Sequence, residues 1–463
     1  MGESSERFQV GDRHLDRLLH VILASYEESR IQRPDTSEGG YKNMTFLHTL
    51  FDTGRGYFWW CDLGKRSKKV FSGPASGKRH VALLAWSFPP DIAGGVYRPL
   101  SLARYGVDAG WNVTVISGPI SEKATTAGLA LLEELPEQVR VCRTPTNNLP
   151  VPSYKLFPRI NGGFVHGLNL VETAMREMAE CPPSVIVATG PPFHSFMAAW
   201  YLSKHFGAKL VLDYRDEWTE CPFSFVDMGN VDHWWERRCL DAADAVFFTT
   251  QTQLDHNLAH LRAGDPKRFR VVPNGWEPAD FTKAKDDNLP RRNGDNLVLS
   301  FVGTLGDHTP PGPFLTQMER LLVRREDLRT RVRLQFVGKR SSQSESQLAK
   351  FRFPDNLDIR GLVEKKEANR LMSEASGLLL FYGDKFKRYL PGKMYDYLAA
   401  GSPLVVVGTD GEVPRILKEL GGGYLVPAGD DGAMEKVLDE LLAHKGVKTS
   451  NPRVEVWLQC HTR

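Results

Sequence analysis

The segment from Arg388 to Pro403, RYLPGKMYDYLAAGSP, carries the most informative spacing in the chain. Pro391 and Gly392 predict a helix start and Gly401 its end, so Lys393 stands beside the helix N-terminus and Asp396 one turn later. A lysine there can meet a phosphate, and the carboxylate can accept two hydrogen bonds from sugar hydroxyls. An ion pair between the two on an exposed face is the simpler reading of the same spacing.

Other chemistry sits where apolar runs end. Gly303 and Thr304 follow the run Leu297–Val302 in a glycine-flanked turn suited to close backbone approach to a diphosphate. Lys339 and Arg340 follow a second run, either as anion ligands or as idle solvent-facing cations. Gly94 and Gly95 end the loop WSFPPDIAGG, which is either an ordinary turn or a place where backbone N–H groups approach an anion. It is not GxGxxG, so a dehydrogenase-type dinucleotide site is unsupported. His194 in GPPFHS falls in a first helical turn, where the dipole disfavours its charged form; it is a neutral donor or acceptor, or a packing histidine. The run Asp213-Tyr-Arg-Asp-Glu-Trp218 brings three acids and Arg215 off a buried strand, which is costly unless they are paired or used. Arg215 either holds a phosphate or pairs with Asp213 or Asp216.

These residues need elements to hold them. From His80 onward, short apolar runs alternate with helical patterns, first to about residue 272 and again from Leu297. Continuous apolar strands separated by helices predict parallel sheets covered on both faces. The polar stretch 282–296, TKAKDDNLPRRNGDN, is the expected domain boundary. The predicted fold class is therefore α/β, two doubly wound domains in tandem over 80–285 and 286–463, facing a cleft at the strands' carboxyl ends. Residues 1–79 form an N-terminal extension with a helix candidate at Leu15–Ser29 and an aromatic patch at Tyr57–Trp60, and their role is not legible.

Composition narrows the class. With 463 residues, 41% hydrophobic and 25% charged, the chain has the balance of a multidomain globular protein. A net charge of +3 without a clustered basic face argues against nucleic acid as a partner. Six dispersed cysteines, no signal-like leader and no apolar run of about 18 residues lead to the expectation of a cytoplasmic protein, with peripheral membrane contact left open. No metal-ligand spacing and no DxD motif in a strand-end loop are found, so no metal or other cofactor is expected.

Taken in order, FPPDIAGGVYRPLSLARYGVDAGWNVTVIS, GPPFHS, LDYRDEW, VVPNGWEPADF, FVGTL, LQFVG, LPGKMYDYLAAGSPLVVV and EVPRILKELGGGYLVPAGD resemble the retaining GT-B glycosyltransferases of glycosyltransferase family 4, over roughly residues 80–445. The resemblance implies a GT-B fold of two Rossmann-like domains. It also implies an enzyme that moves a sugar from a nucleotide-diphosphate sugar to an acceptor hydroxyl with retention, in polysaccharide, glycolipid or secondary-metabolite biosynthesis. The donor would lie on Gly94, Gly95, Gly303, Thr304, Lys339, Lys393 and Asp396, with His194, Arg215 and Asp216 as candidate catalytic residues. Asp396 aligns with the second glutamate of the family's paired acids, whereas Arg388 stands at the first. The family's Arg…Lys pair after the FVG strand is replaced by Gly306-Asp307-His308-Thr309. A nucleotide-sugar epimerase or phosphorylase of the same fold, and a non-catalytic nucleotide-sugar-binding scaffold, are the competing readings.

Overall fold

The computed structural model describes residues 79–92, 94–121, 124–145, 159–282, 296–443 and 451–462. The expected helix at Leu15–Ser29, the aromatic patch at 57–60 and nearly all of the 282–296 boundary lie outside the described residues.

Seven strands, β1 (His80–Leu84), β2 (Asn112–Ser117), β3 (Val139–Arg143), β4 (Val185–Gly190), β5 (Lys209–Tyr214), β6 (Ala245–Phe248) and β7 (Phe269–Val271), make one sheet in the order β3-β2-β1-β4-β5-β6-β7. Six more, β8 (Leu297–Val302), β9 (Val332–Val337), β10 (Leu357–Arg360), β11 (Gly377–Tyr382), β12 (Leu404–Gly408) and β13 (Tyr424–Val426), make a second in the order β10-β9-β8-β11-β12-β13. The pairings within both sheets are parallel. In register, Val81 faces Val113 on one side and Val185 on the other, and Leu299 faces Leu334 and Gly377.

The central strands are apolar along their length because helices cover both faces, and every residue of β11 is buried. The helix His194–Phe206 is buried almost all round, with Phe196, Met197, Trp200 and Leu202 inside the first core. The strands and longer helices expected from the apolar pattern are present, with ends shifted by one or two residues. Helices at Thr126–Glu133, Ser342–Ala349, Glu412–Leu420 and Pro452–Gln459 were not foreseen. Three of them, beginning after Thr125, Ser341 and Asn451, are short and owe their starts to a side-chain cap rather than to a long apolar stripe.

Both sheets reverse strand order once, between β1 and β4 and between β8 and β11. Adjacent loops diverge to opposite faces at such a point and leave a crevice at the strands' carboxyl ends. The loops after β1, β4 and β8, and the segment after β11, carry Gly94–Gly95, His194, Gly303–Thr304 and Lys393.

Candidate functional site

In the first crevice Asn161 sets the start of the helix that carries His194. Its side-chain oxygen accepts from the Phe193 amide at 2.9 Å, and its main-chain oxygen accepts from the His194 amide at 3.0 Å. The His194 ring is fully buried, edge-on to Trp86 with centroids 4.7 Å apart and 5.7 Å from the ring of His166. Among the described residues neither ring nitrogen has a hydrogen-bond partner. Burial, with the His166 ring adding to it, holds the imidazole well below its usual range, so it is neutral. A neutral ring agrees with the sequence expectation, but burial rather than the helix dipole is the main cause.

The acids after β5 are paired, and not in the way local spacing suggested. Asp213 is buried and receives Arg98 from the helix Tyr97–Asp108, with Nε 3.0 Å from both oxygens and Nη2 2.7 Å from one. Arg215 pairs with neither Asp213 nor Asp216. Its Nη1 donates to the Gly95 carbonyl at 2.5 Å and its Nη2 to the Pro191 carbonyl, so it straps together the loops after β1 and β4. A Cβ on Gly95 would lie 1.6 Å from Arg215 Nη1, so only glycine lets the loop lie on the guanidinium. Burial pushes the Asp216 carboxyl up to about 6, against the pull of Arg215 and with Glu217 adding to it. That places a carboxyl able to exchange a proton near neutrality beside the crevice.

In the second crevice the Tyr397 hydroxyl ties the helix Gly392–Ala400 to the end of β8, accepting from the Val302 amide at 2.8 Å and donating to its carbonyl at 3.0 Å. This sets Lys393 over the β8 turn, with Nζ 3.5 Å from the Thr304 carbonyl and 4.0 Å from the Phe301 ring centre. Gly303 has φ +135° and Gly338, after β9, has φ +120°; a Cβ on Gly338 would lie 2.3 Å from the Gly303 carbonyl oxygen. The two strand ends touch main chain to main chain, which only glycine permits.

Lys393 makes no ion pair among the described residues, so the expected alternative of a Lys393–Asp396 pair is not formed. Burial pushes its ammonium down to about 7, and a bound anion would reverse that shift. Asp396 is half-buried one turn on, with Lys365 near it. Burial opposes the Lys365 ammonium, but the charges of Asp396 and Asp280 outweigh it, and Lys365 Nζ stands 3.0 Å from Asp280 and 5.0 Å over the Tyr97 ring. Lys365 was missed in the sequence because it opens a helix whose neighbours, KKE, read as a solvated run. Lys339 is exposed, and Arg340 bonds the carbonyls of Gly338 and Arg360 at 2.8 and 2.7 Å.

Between the crevices the halves meet on a polar and aromatic seam. Arg388 Nε and Nη2 donate to the buried Glu217 carboxylate at 2.9 and 2.6 Å, and Nη2 also reaches the Glu220 carbonyl at 3.1 Å. Thr250 donates to the Arg388 carbonyl at 2.5 Å. Phe223 packs against Phe386, Tyr389 and His308 at 4.7, 5.0 and 5.3 Å. The arginine at the first acid position of the family pattern therefore faces the other half, and His308 joins the seam. Contrary to the expectation that no metal-ligand spacing exists, His256 and His260 stand four residues apart on one helix with Glu220 beside them.

Residues 93–275 match the family described as glycosyl transferase 4-like domain, and residues 296–444 match glycosyl transferases group 1. No curated protein matches the chain. Among solved structures, sucrose-phosphate synthase from Thermosynechococcus elongatus is 16% identical with a TM-score of 0.62, covering 83% of this chain and 95% of that one. A glycosyltransferase from Rickettsia africae is 12% identical with a TM-score of 0.59 over 83% and 95%. Anabaena HepE in complex with UDP and glucose is 14% identical with a TM-score of 0.57 over the same shares.

Proposed function

For a chain that belongs to the GT-B glycosyltransferases, we propose transfer of a sugar from a nucleotide-diphosphate sugar to an acceptor hydroxyl with retention of configuration, in the building of a polysaccharide, a glycolipid or a secondary metabolite. The observation that carries the donor assignment is Lys393. It is a half-buried ammonium without an ion-pair partner among the described residues, above the open turn at Gly303 and at a helix N-terminus.

In this reading the diphosphate lies between Lys393 and the Gly303–Thr304 backbone, and the ribose hydroxyls bond Asp396. As the sugar leaves, negative charge grows on the diphosphate, and the ammonium and helix N-terminus stabilise it. The reading asks for no metal there. The departing sugar faces the first crevice, where neutral His194 contacts it, Asp216 exchanges a proton, and Arg215 holds the Gly94–Gly95 loop in place. The HepE complexes with UDP and with UDP-glucose support a uridine nucleotide as the first probe. The work is assigned to the cytoplasm; the described cysteines are free, and no helix among the described residues is long and apolar enough to cross a membrane.

A thermal-shift screen against UDP, GDP, ADP, dTDP and CMP, with Asp396→Ala alongside, tests this. A nucleotide at about 100 times its dissociation constant adds about 2.7 kcal/mol of stability. Stabilisation of the wild type and not of the variant upholds the donor site; no response to any nucleotide removes it. The turn of Arg388 toward Glu217 favours, as a second reading, a nucleotide-sugar-binding scaffold without turnover. Donor that binds but is never consumed, with any acceptor tried, would select the scaffold.

A further inference from the structure

Outside the two crevices, one cluster gathers side chains that ligate transition metals. The helix Gln251–Leu261 carries His256 and His260 on one face, their ring centres 4.0 Å apart. Glu220, from the segment after β5, places Oε2 3.0 Å from His256 Nε2. One ligand atom from each of the three lies within 4.8 Å of the others. The separation is somewhat wider than in a closed site, and small rotations of the exposed His260 and the half-buried Glu220 and His256 side chains close it.

Two features leave the cluster open to a ligand. His260 Nδ1 stands 2.7 Å from the His256 carbonyl. A carbonyl only accepts, so Nδ1 carries the hydrogen and the Nε2 lone pair is left for a ligand, the outer arrangement that metal-binding histidines use. Glu220, in turn, is fixed from behind by Arg388, which donates to its carbonyl and whose charge also acts on its carboxylate, while His256 is that carboxylate's ion-pair partner.

We propose that Glu220, His256 and His260 bind one divalent transition-metal ion of the zinc class. Two imidazoles and one carboxylate suit zinc, cobalt or nickel rather than magnesium or calcium. Three protein ligands leave a fourth position for water. Binding replaces the His256–Glu220 hydrogen bond with two metal bonds, and a hydrogen on Nε2 passes to Nδ1 or to solvent. The ion ties the segment 217–220 to the helix 251–261, and that segment carries Glu217, the partner of Arg388. The site lies on the seam and does not depend on the transfer reaction.

The test uses the full chain, stripped with chelator and titrated with Zn²⁺ by calorimetry and with Co²⁺ by visible absorption. One saturable Zn²⁺ equivalent and a Co²⁺ band of low-symmetry N/O coordination are expected. His260→Ala, on an exposed ring, should remove both, and Glu220→Gln should weaken Zn²⁺ by at least about tenfold, since even outer partners of metal ligands are worth that much. The metal-free variants should melt within a few degrees of the metal-free wild type. Absence of saturable binding, or binding unchanged in both variants, overturns the assignment. If His260→Ala does not fold, Glu220→Gln alone decides by the same readouts.

Discussion

Arg388 and Glu217 form a two-point ion pair between the halves of the molecule, Nε to Oε1 at 2.9 Å and Nη2 to Oε2 at 2.6 Å. Glu217 is fully buried and is also bonded by Asn257 at 3.1 Å and by the Tyr389 hydroxyl. A carboxylate so placed is tolerable only while its cation is present. Arg388→Ala is therefore expected to cost about 3 kcal/mol, read by urea unfolding. Adding Glu217→Gln should recover part of the loss, because the stranded charge is gone. A double variant that is simply additive would deny the coupling.

Lys393 predicts a pH dependence of donor binding. Its ammonium is held down at about 7 in the free protein, and a bound diphosphate favours the charged form, so binding takes up a proton above that pH. UDP affinity should fall as pH rises beyond about 7, by up to about tenfold per unit. Lys393→Gln should bind weakly with a flat profile, and Lys393→Arg should bind without the fall. Calorimetry in buffers of differing ionisation enthalpy measures the proton directly.

Gly162 controls the position of His194. It has φ +81°, and a Cβ there would lie 2.0 Å from His194 Nδ1 and 2.7 Å from Pro192 Cβ. Gly162→Ala should displace the ring and destabilise the fold by about 1–3 kcal/mol. Nucleotide affinity should hold, because Lys393 and Asp396 belong to the other sheet's crevice. Turnover measured beside the UDP dissociation constant separates the two, and equal losses in both would count against a role for His194 in the transfer step.

Burial pushes the Glu236 carboxyl up to about 8, even though Thr219 and Tyr214 donate to it, and pushes Asp216 up to about 6. Both folded values lie above the unfolded ones, so the folded state favours the protonated acids. Their contribution is fully present below about pH 4 and is lost as pH rises, through about 6 for Asp216 and about 8 for Glu236. Stability should therefore decline from pH 4.5 to 8, by about 1.4 kcal/mol for each unit of pKa difference. Glu236→Gln should flatten that slope and be the more stable protein at pH 8. An unchanged slope in the variant would reject the assignment.

Much of the scaffold is legible from short-range pattern. Leu378–Phe381 reads as a doubly covered strand because four consecutive apolar residues have no other use, and all four are buried in β11. Pro391, Gly392 and Gly401 bound the helix that carries Lys393, with Gly401 in the left-handed region at φ +76°. The helix Glu412–Leu420 escaped the same reading, with a proline in its first turn and a run of three glycines after it.

By itself the sequence determined the two parallel sheets, the loops at their reversals, and Lys393 one turn ahead of Asp396, because periodicity, caps and strand ends act over a few neighbouring residues. The tertiary structure alone decided the partners. Arg215 turned from its neighbouring acids to the carbonyls of Gly95 and Pro191, 120 and 24 positions away. Arg388 found Glu217 across 171 positions, and His256 and His260 found Glu220. Charged side chains choose their partners by burial and distance in the folded molecule, and separation along the chain says nothing of either.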